Sequence, residues 1–441
     1  MLTPPAMADI APLRPLRYAQ LAELASLVAP PYDVISPEER EELASRSPHN
    51  VVRLILPEGH GDERYSNAAA LLAGFRQQGV LVRDEEPAFY RYEQTFEPPG
   101  GGARLSRKGL LALVRLVPFE EKVVLPHERT LSGPKEDRLK LFRATKTNLS
   151  PGFMLYRDPK RVLEGPLATG ETLARFTTKD GIEHHLAKIA APDAVRAIVE
   201  HVKTSQLLIA DGHHRYETAL HYAGEVDRSH PNAHPHGEHR YFMVFLCNGD
   251  DPNLVVFPTH RLVHSLPAFE WEGFVTKARE LFDVLPVPAD AGLIAMRLRE
   301  QGARGPAMAA IAEGGKAAIL VLKRDVDLAA HPVLGARPEV VRRTDVAILH
   351  DGILQDILGI SLEAQAAKTN LQYLQDAKDG IARLGRGEGQ VLFVMNATPV
   401  AQIREVAEAG CVMPQKSTYF YPKVLTGLAI HTLDPERSVE F

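Results

Sequence analysis

Five consecutive residues, Asp211, Gly212, His213, His214 and Arg215, carry groups that can bind a phosphate. They follow a short apolar run and precede apolar residues at helical spacing, which predicts a strand, a tight turn and a helix. A helix N-terminus attracts anions, Gly212 allows close approach to the backbone, and Arg215 can hold phosphate oxygens in a fork. The pattern predicts a phosphate or nucleotide site, although a capped helix with surface imidazoles would produce the same residues.

Asp211 is also the candidate metal ligand, because a carboxylate at this position can hold an Mg²⁺ that bridges phosphate oxygens. His213 is a candidate for catalysis as well as for phosphate binding. Asp33, on a rigid turn after two prolines, and Glu38 can each act as a general base that removes a proton from an attacking hydroxyl. Glu38 equally fits a structural role, since a carboxylate in the first turn stabilises a helix.

A polar and ionic segment at residues 127–138 suits the binding of a small charged substrate. The alternative is a loop that enters a solvated, charged helix. The candidate substrate-binding residues are His127, Glu128, Arg129, Thr130, Lys135 and Arg138. Lys416 lies among aromatic residues and prolines that can present it to phosphates, although a packed terminal strand explains this stretch nearly as well.

Secondary-structure signals indicate a chain that mixes helices and strands. Ser36, Pro37 and Glu39 form a capping box that predicts a helix over 37–46. Alternating patterns predict strands at 50–56, 88–96 and 109–116, with a helix over 62–78, and Gly314 with Gly315 indicates a hairpin. The predicted class is α/β (α+β), with one domain over residues 1–265 and a smaller α+β domain over 266–441.

Composition sets the broad class of protein. The 441 residues are 45% hydrophobic and 24% charged, which is typical of a globular chain long enough for two domains. The net charge of −5 argues against nucleic acid as a partner. Cys247 and Cys411 lie in apolar runs that favour reduced thiols, and no segment reads as a signal peptide or membrane span. We therefore expect a cytoplasmic protein that does not enter membranes.

Four segments, at residues 28–38, 125–138, 210–219 and 413–423, together resemble the domain of unknown function 1015 family. The turn at 211–215 is also similar to the signature of the ParB/sulfiredoxin-like superfamily, in which it holds nucleotide phosphates. Free-serine kinases carry nearly the same turn. Sulfiredoxin has a cysteine where this chain has His213, and ParB proteins add a basic DNA-binding region that is missing here.

This resemblance implies a ParB/sulfiredoxin-like first domain and a nucleotide-dependent kinase. Its cofactors would be Mg²⁺ and ATP or ADP, and its acceptor a small hydroxyl amino acid, with free L-serine preferred. Two alternatives stay open at this point. One is a nucleotide-binding regulatory module of the ParB kind without catalysis, and the other is a nucleotide hydrolase.

Overall fold

The computed structural model describes residues 8–98, 102–128 and 132–440, except the side chains of residues 132–134. The chain folds into two compact units. The first contains residues 1–126, 130–255 and 422–441, and the second contains residues 127–129 and 256–421. Each unit is therefore discontinuous in sequence. Residues 127–129 belong to the second unit although they lie between segments of the first, and residues 422–441 return to the first unit.

The first unit is built on a large mixed sheet, in which nine strands are seen among the described residues. In spatial order the strands are Val124–Leu125, Leu207–Asp211, Gly152–Tyr156, Tyr241–Asn248, Leu105–Arg115, Phe89–Phe96, Glu183–Ile189 and Glu171–Thr177, with Ile10–Ala11 beside Leu105–Arg115. Leu207–Asp211 is parallel to Val124–Leu125, and Gly152–Tyr156 is parallel to Tyr241–Asn248. The other neighbours are antiparallel.

Helices and two short strand pairs complete the first unit. The helices are Leu24–Leu27, Pro37–Arg46, Val52–Ile55, Glu63–Gln77, Ser132–Thr145, Glu164–Ala168, Pro192–Val202 and His213–Ser229. The strand pairs are Leu16–Tyr18 with Leu81–Arg83, and Thr147–Asn148 with His431–Thr432. The core combines apolar side chains of the central strands with those of the helices at 192–202 and 213–229.

The second unit has an antiparallel six-stranded sheet. Its order is Phe282–Pro286, Ala317–Leu322, Ala307–Ala312, Val391–Met395, His260–Val263 and Leu371–Leu374. The helices are Trp271–Ala278, Ala291–Gly302, Glu339–Arg342, Asp345–Ala347, Leu362–Ala367, Ala377–Gly385 and Val400–Glu408, and Ile348–Ile357 is a π-helix. Val255–Phe257 pairs with Tyr419–Tyr421. Apolar clusters cover both faces of the six-stranded sheet.

These elements confirm the mixed helix and strand class and most of the predicted segments. The helix Pro37–Arg46 begins where the capping box indicates, and the Ser36 hydroxyl accepts the Glu39 N–H at 3.2 Å. The hairpin around Gly314 joins Ala307–Ala312 to Ala317–Leu322. No helix in the described part of the chain has both the length and the apolar character that crossing a bilayer requires.

The strand predicted at 50–56 is wrong, because Val52–Ile55 is a short helix. Asn50 is fully buried, and its side-chain oxygen accepts the Val52 N–H at 2.9 Å. Its amide group donates to the carbonyls of Ser26 and Val28. Asn50 therefore ties the start of the helix to distant residues, and the alternation of apolar residues reflects burial and not a strand.

Gly109 allows two strands to pack closely, and we expect Gly109→Ala to destabilise the protein. A Cβ at this position would lie 2.5 Å from the Leu246 carbonyl oxygen and still closer to the Phe245 ring. The expected cost is about 1–3 kcal/mol in urea unfolding followed by circular dichroism. Gly74→Ala is the control, because it meets nothing within 4 Å inside the helix Glu63–Gln77 and should stabilise by about 0.5–1 kcal/mol. Equal changes in the free energy of unfolding for the two variants would show that Gly109 is not closely packed against Phe245 and Leu246.

Buried His184 predicts that stability falls in acid. Its ring nitrogens contact the hydroxyls of Tyr92 and Thr178 at 2.7 and 2.8 Å, and burial lowers its pKa to about 4. Below about pH 6.5 the His184 ring binds a proton in the unfolded chain but not in the folded protein. The contribution of the neutral ring to the free energy of unfolding is therefore fully present above pH 6.5 and decreases as the pH falls towards 4.

From pH 7 to pH 4.5 the free energy of unfolding should fall in both proteins. We expect this decrease to be about 2 kcal/mol smaller in His184→Gln than in the parent, measured by urea unfolding at both pH values. His60→Gln, at an exposed position, is the control and should behave like the parent. An unchanged pH dependence in the His184 variant would show that this ring does not titrate on unfolding.

Candidate functional site

The strand, turn and helix expected around residue 211 are present in the first unit. Leu207–Asp211 is a strand, Gly212 is the turn, and His213–Ser229 is the helix. The register against Gly152–Tyr156 shifts between Ile209 and Asp211, which marks a β-bulge at the end of the strand. The bulge and the turn together place the Asp211 side chain beside the N-terminus of the helix.

Gly212 is required by the geometry of this turn. Its φ of 91° lies in the left-handed region, which glycine adopts without strain. A Cβ on Gly212 would also lie 3.1 Å from the guanidinium of Arg215, which folds back over the turn. Any other residue here would be strained and would displace Arg215.

Asp211 and Arg215 are linked to a residue that the sequence did not indicate, Lys423. The Lys423 ammonium lies 2.9 Å from one carboxylate oxygen of Asp211, and Arg215 Nη2 lies 3.5 Å from the other. Arg215 is nearly buried and also donates to the Pro151 carbonyl. Lys423 follows Pro422 at the end of an aromatic run, and nothing in its local sequence reveals so distant a partner.

A buried arginine on the central sheet holds Lys423 in place. Arg107 is fully buried, donates to the Pro422 carbonyl at 2.5 Å and to the Gln94 side-chain oxygen, and lies 4.7 Å from the Phe153 ring centroid. The Gln94 amide donates to the Lys423 carbonyl at 2.9 Å. Burial lowers the pKa of Arg107 to about 10, so this group is still charged at neutral pH.

The two histidines of the turn differ in exposure. His213 is buried and His214 is half-buried, and the His214 carbonyl accepts the Thr218 hydroxyl at 2.7 Å. Both lie in the first turn of the helix, where backbone N–H groups have no intrahelical partners. Phosphate binding by residues 211–215, and catalysis by His213, stay predictions.

Tyr32 and Arg138 separate two hollows in the first unit. The Arg138 guanidinium lies 4.2 Å from the Tyr32 ring centroid. Arg215, Ser150 and this pair line a small inner cavity. The same pair also lines an open outer cleft of about 420 Å³, together with Ile35, Ser36, Pro37, Arg40, Leu56, Pro57, Arg64 and Asp137. Burial raises the pKa of Tyr32, as does Asp33, and the charges of Arg138 and Arg215 oppose the shift.

Cationic side chains dominate the outer cleft. Arg40, Arg64 and Arg138 line it together with Asp137. Burial alone would raise the pKa of Asp137, but hydrogen bonds and charges from Arg138, Tyr65 and Arg64 lower it overall. Arg64 and the Tyr65 hydroxyl each lie 2.8 Å from one Asp137 oxygen. The lining therefore has three positive charges and one negative charge, and Arg40 is also paired with Glu41 and Glu58 at 2.7 and 2.6 Å.

The two candidate bases lie near this cleft but differ in their contacts. Asp33 is exposed on the turn Tyr32–Val34. Glu38 is exposed in the first turn of the helix Pro37–Arg46 and accepts the Ser36 hydroxyl at 2.8 Å. Backbone and Ser36 hydrogen bonds lower the pKa of Glu38, which makes it a weaker proton acceptor.

The candidate substrate residues at 127–138 do not form one group. Lys135 forms an ion pair with Glu217, and Arg138 donates to the Ile55 carbonyl at 2.8 Å. Arg129 and Thr130 lie outside the described residues. The helix Ser132–Thr145 agrees with the expected charged helix, in which Arg138 is nearly buried.

His127, Glu128 and Lys416 belong to the second unit, where they come together. The Glu128 carboxylate accepts the backbone N–H groups of Lys416, Ser417 and Thr418 at 3.2, 3.0 and 3.1 Å. Lys416 has a φ of 55°, and successive N–H groups around such a residue form an anion-binding concavity. His127 Nε2 lies 2.9 Å from the Thr418 hydroxyl. The Lys416 backbone therefore binds a carboxylate of the protein itself.

A metal at Asp211 would need most of its ligands from elsewhere. Among the described residues no group of three or more histidine, cysteine, aspartate or glutamate side chains could hold a metal ion. Both cysteines are free thiols, and burial raises the pKa of Cys247 to about 12.

We expect Arg107→Met to loosen the Pro422–Lys423 segment. The variant leaves the Pro422 carbonyl and the Gln94 side-chain oxygen without this donor, at a cost of about 1–3 kcal/mol that the removal of a buried charge offsets in part. Hydrogen–deuterium exchange of residues 422–426 should rise by about tenfold. Arg104→Met, in an exposed pair with Glu183, should leave this exchange unchanged. Unaltered protection in the Arg107 variant would show that other contacts hold the segment.

The comparisons with known proteins give a family and several distant structures. No curated protein matches the chain. A free serine kinase in complex with AMP matches with a TM-score of 0.37 and 12% identity, over 74% of this chain and 91% of that one. A conserved hypothetical protein from Pyrococcus furiosus matches with a TM-score of 0.34 and 15% identity, over 70% and 90% of the two chains. SbnI with a C-terminal truncation, from Staphylococcus aureus, has a TM-score of 0.34 and 10% identity, with 71% and 85% covered.

The family model described as "Protein of unknown function (DUF1015)" matches residues 10–347, which is most of the chain. The protein belongs to the DUF1015 family.

Proposed function

We propose that this protein is a nucleotide-dependent phosphotransferase that acts on a small hydroxyl compound, with free L-serine as the preferred acceptor. The observation that carries the proposal is the turn at 211–215, with Gly212 left-handed at a helix N-terminus and Lys423 and Arg215 beside Asp211. The choice of serine rests on the similarity of this turn to that of free-serine kinases.

Phosphate oxygens would bind where the helix His213–Ser229 begins. Backbone N–H groups and the helix dipole favour negative charge there, and Lys423 supplies a cation close by. A bound phosphate would compete with Asp211 for the Lys423 ammonium. The released carboxylate of Asp211 would then be able to hold Mg²⁺, which would neutralise phosphate charge.

The outer cleft is suited to the rest of the nucleotide or to the acceptor. Its volume of about 420 Å³ lies within the ordinary range for small-molecule sites. Arg40 lines this cleft and is paired with Glu41 and Glu58, and an anionic group in the cleft could compete with these carboxylates for it. Arg138 borders both hollows and could bind the carboxylate of an amino acid while the phosphates lie towards Arg215.

We assign the general base to Asp33. It adjoins Tyr32, which borders both hollows, whereas the lowered pKa of Glu38 makes that residue the poorer proton acceptor. Asp33 would take the hydroxyl proton as the acceptor oxygen bonds to the terminal phosphorus. The bond from that phosphorus to the bridging oxygen breaks, and the nucleotide leaves as ADP from ATP or as AMP from ADP. Positioning and charge neutralisation supply most of the rate.

We expect purified protein to form phosphoserine from free L-serine in the presence of Mg²⁺ and ATP or ADP, measured by mass spectrometry. Asp33→Asn should lower the rate by about 10²–10⁴-fold, the range for loss of a general base. Glu38→Gln is the matched control, an exposed carboxylate on the neighbouring helix, and should change the rate by less than about threefold. A larger loss in the Glu38 variant than in the Asp33 variant would reverse the assignment.

Lys423→Met tests the phosphate site separately. It should weaken nucleotide binding by about tenfold in calorimetry, because one charged contact to phosphate is lost. Nucleotide binding without phosphoserine would favour the regulatory module, and nucleotide consumption without phosphoserine would favour a hydrolase. Absence of nucleotide binding would exclude all three.

A further inference from the structure

The second unit contains a cavity of about 110 Å³ that is lined only by its own residues. Its wall combines ionic side chains from the π-helix Ile348–Ile357 and its neighbours with apolar side chains from the helix Leu362–Ala367. The phosphotransferase proposed above involves none of the groups that line it. The cavity therefore needs an explanation of its own.

The π-helix places two polar residues, His350 and Asp351, inside the protein. Both are buried, and Asp351 has no exposed surface. The Leu358 N–H donates to the Ile353 carbonyl at 2.9 Å, the spacing of a π-helix. π-Helices are rare in proteins, and those that occur are often found at functional sites. Buried charges destabilise a protein unless they are paired.

The buried polar groups are held by a connected set of hydrogen bonds. Arg337 binds Asp351 in a fork, with distances of 2.7 and 2.9 Å. His350 Nδ1 lies 2.7 Å from the Gln365 oxygen, so this nitrogen carries the proton and Nε2 accepts Arg261 Nε–H at 3.2 Å. These groups are satisfied by one another, which fixes the polar wall of the cavity before any ligand arrives.

Three polar groups of the lining are left available to a ligand. In the part of the chain that the structure describes, Arg337 Nη1, the Tyr373 hydroxyl and the Gln415 side chain line the cavity and make no hydrogen bond. Their atoms are not among the buried unpaired ones, so they are accessible. Arg337 Nη1 can only donate, and therefore it requires an acceptor on the ligand.

The charges near the cavity favour an anionic acceptor. Arg261 is fully buried behind His350 and hydrogen-bonds to uncharged partners, including the Lys416 carbonyl at 3.0 Å. Burial lowers the pKa of Arg261 to about 10, while Tyr373 and Glu128 oppose the shift, so it stays charged at neutral pH. Among the lining residues the charges of Arg337 and Asp351 balance, so Arg261 adds one positive charge behind the cavity.

The rest of the lining is apolar and limits the size of a ligand. Val341, Val412 and Pro414 line the cavity together with Leu362, which is 39% exposed. An apolar cavity of about 150 Å³ accommodates benzene, so this smaller one fits a branched aliphatic group.

We propose that this cavity is a second ligand site, which binds a small carboxylate with a branched aliphatic body. The carboxylate would bind Arg337 Nη1 and the Tyr373 hydroxyl, and the aliphatic body would pack against the apolar lining and cover Leu362. This inference does not depend on the proposed phosphotransferase.

Calorimetry on the full chain with sodium 3-methylbutanoate tests the site. We expect saturable binding of 3-methylbutanoate, at least tenfold tighter than that of 3-methylbutan-1-ol, which has the same body without the carboxylate. Acetate, which lacks the body, should also bind at least tenfold more weakly. No binding of 3-methylbutanoate at millimolar concentration, or equal binding of the alcohol, would overturn the proposal.

Two variants locate the binding. Ala366 lines the cavity, so Ala366→Phe places a ring there and should weaken binding of 3-methylbutanoate at least tenfold. Ala367→Phe is the control, because Ala367 is exposed and lies outside the lining, and it should leave this binding unchanged. Arg337→Met combined with Asp351→Leu removes the ion pair without leaving a buried charge, and should abolish the preference for the carboxylate over the alcohol. Unchanged binding in Ala366→Phe, or a preserved preference in the double variant, would place the ligand elsewhere and refute this site.

Discussion

The hydrogen bond from Arg107 to the Pro422 carbonyl connects the centre of the large sheet to the C-terminal segment of the first unit. A fully buried guanidinium is costly, and its aromatic neighbours and uncharged acceptors compensate only in part. In return, the Arg107 guanidinium fixes the backbone at Pro422. Because Gln94 binds the next carbonyl, that of Lys423, the chain direction at this residue is set from two sides.

The arrangement around Asp211 depends on that constraint. Lys423 reaches Asp211 only if residues 422–423 run beside the strand Leu207–Asp211, and Arg215 then closes the group from the helix side. In the proposed phosphotransferase, a phosphate would replace the Asp211 carboxylate as the partner of the Lys423 ammonium.

The second unit also contains a buried arginine that donates to a backbone carbonyl. Arg261 is also a buried arginine without a carboxylate in direct contact, and it donates to the Lys416 carbonyl. The N–H groups of residues 416–418 then face the Glu128 carboxylate. In both units a buried guanidinium therefore holds backbone carbonyls of the C-terminal stretch, at Lys416 in one and at Pro422 in the other. This fixes the backbone without pairing the guanidinium to a carboxylate.

Sequence alone determined the features that depend on neighbours along the chain. The capping box defined the helix Pro37–Arg46, the glycine pair defined the hairpin, and the run at 207–215 defined a strand, a turn and a helix, because each needs only local backbone geometry. Only the tertiary structure decided the helix Val52–Ile55, whose start Asn50 ties to distant carbonyls. It alone brought Lys423 to Asp211, and it assigned Lys135 and Glu128 to different units, because burial and charge pairing act between residues far apart in sequence.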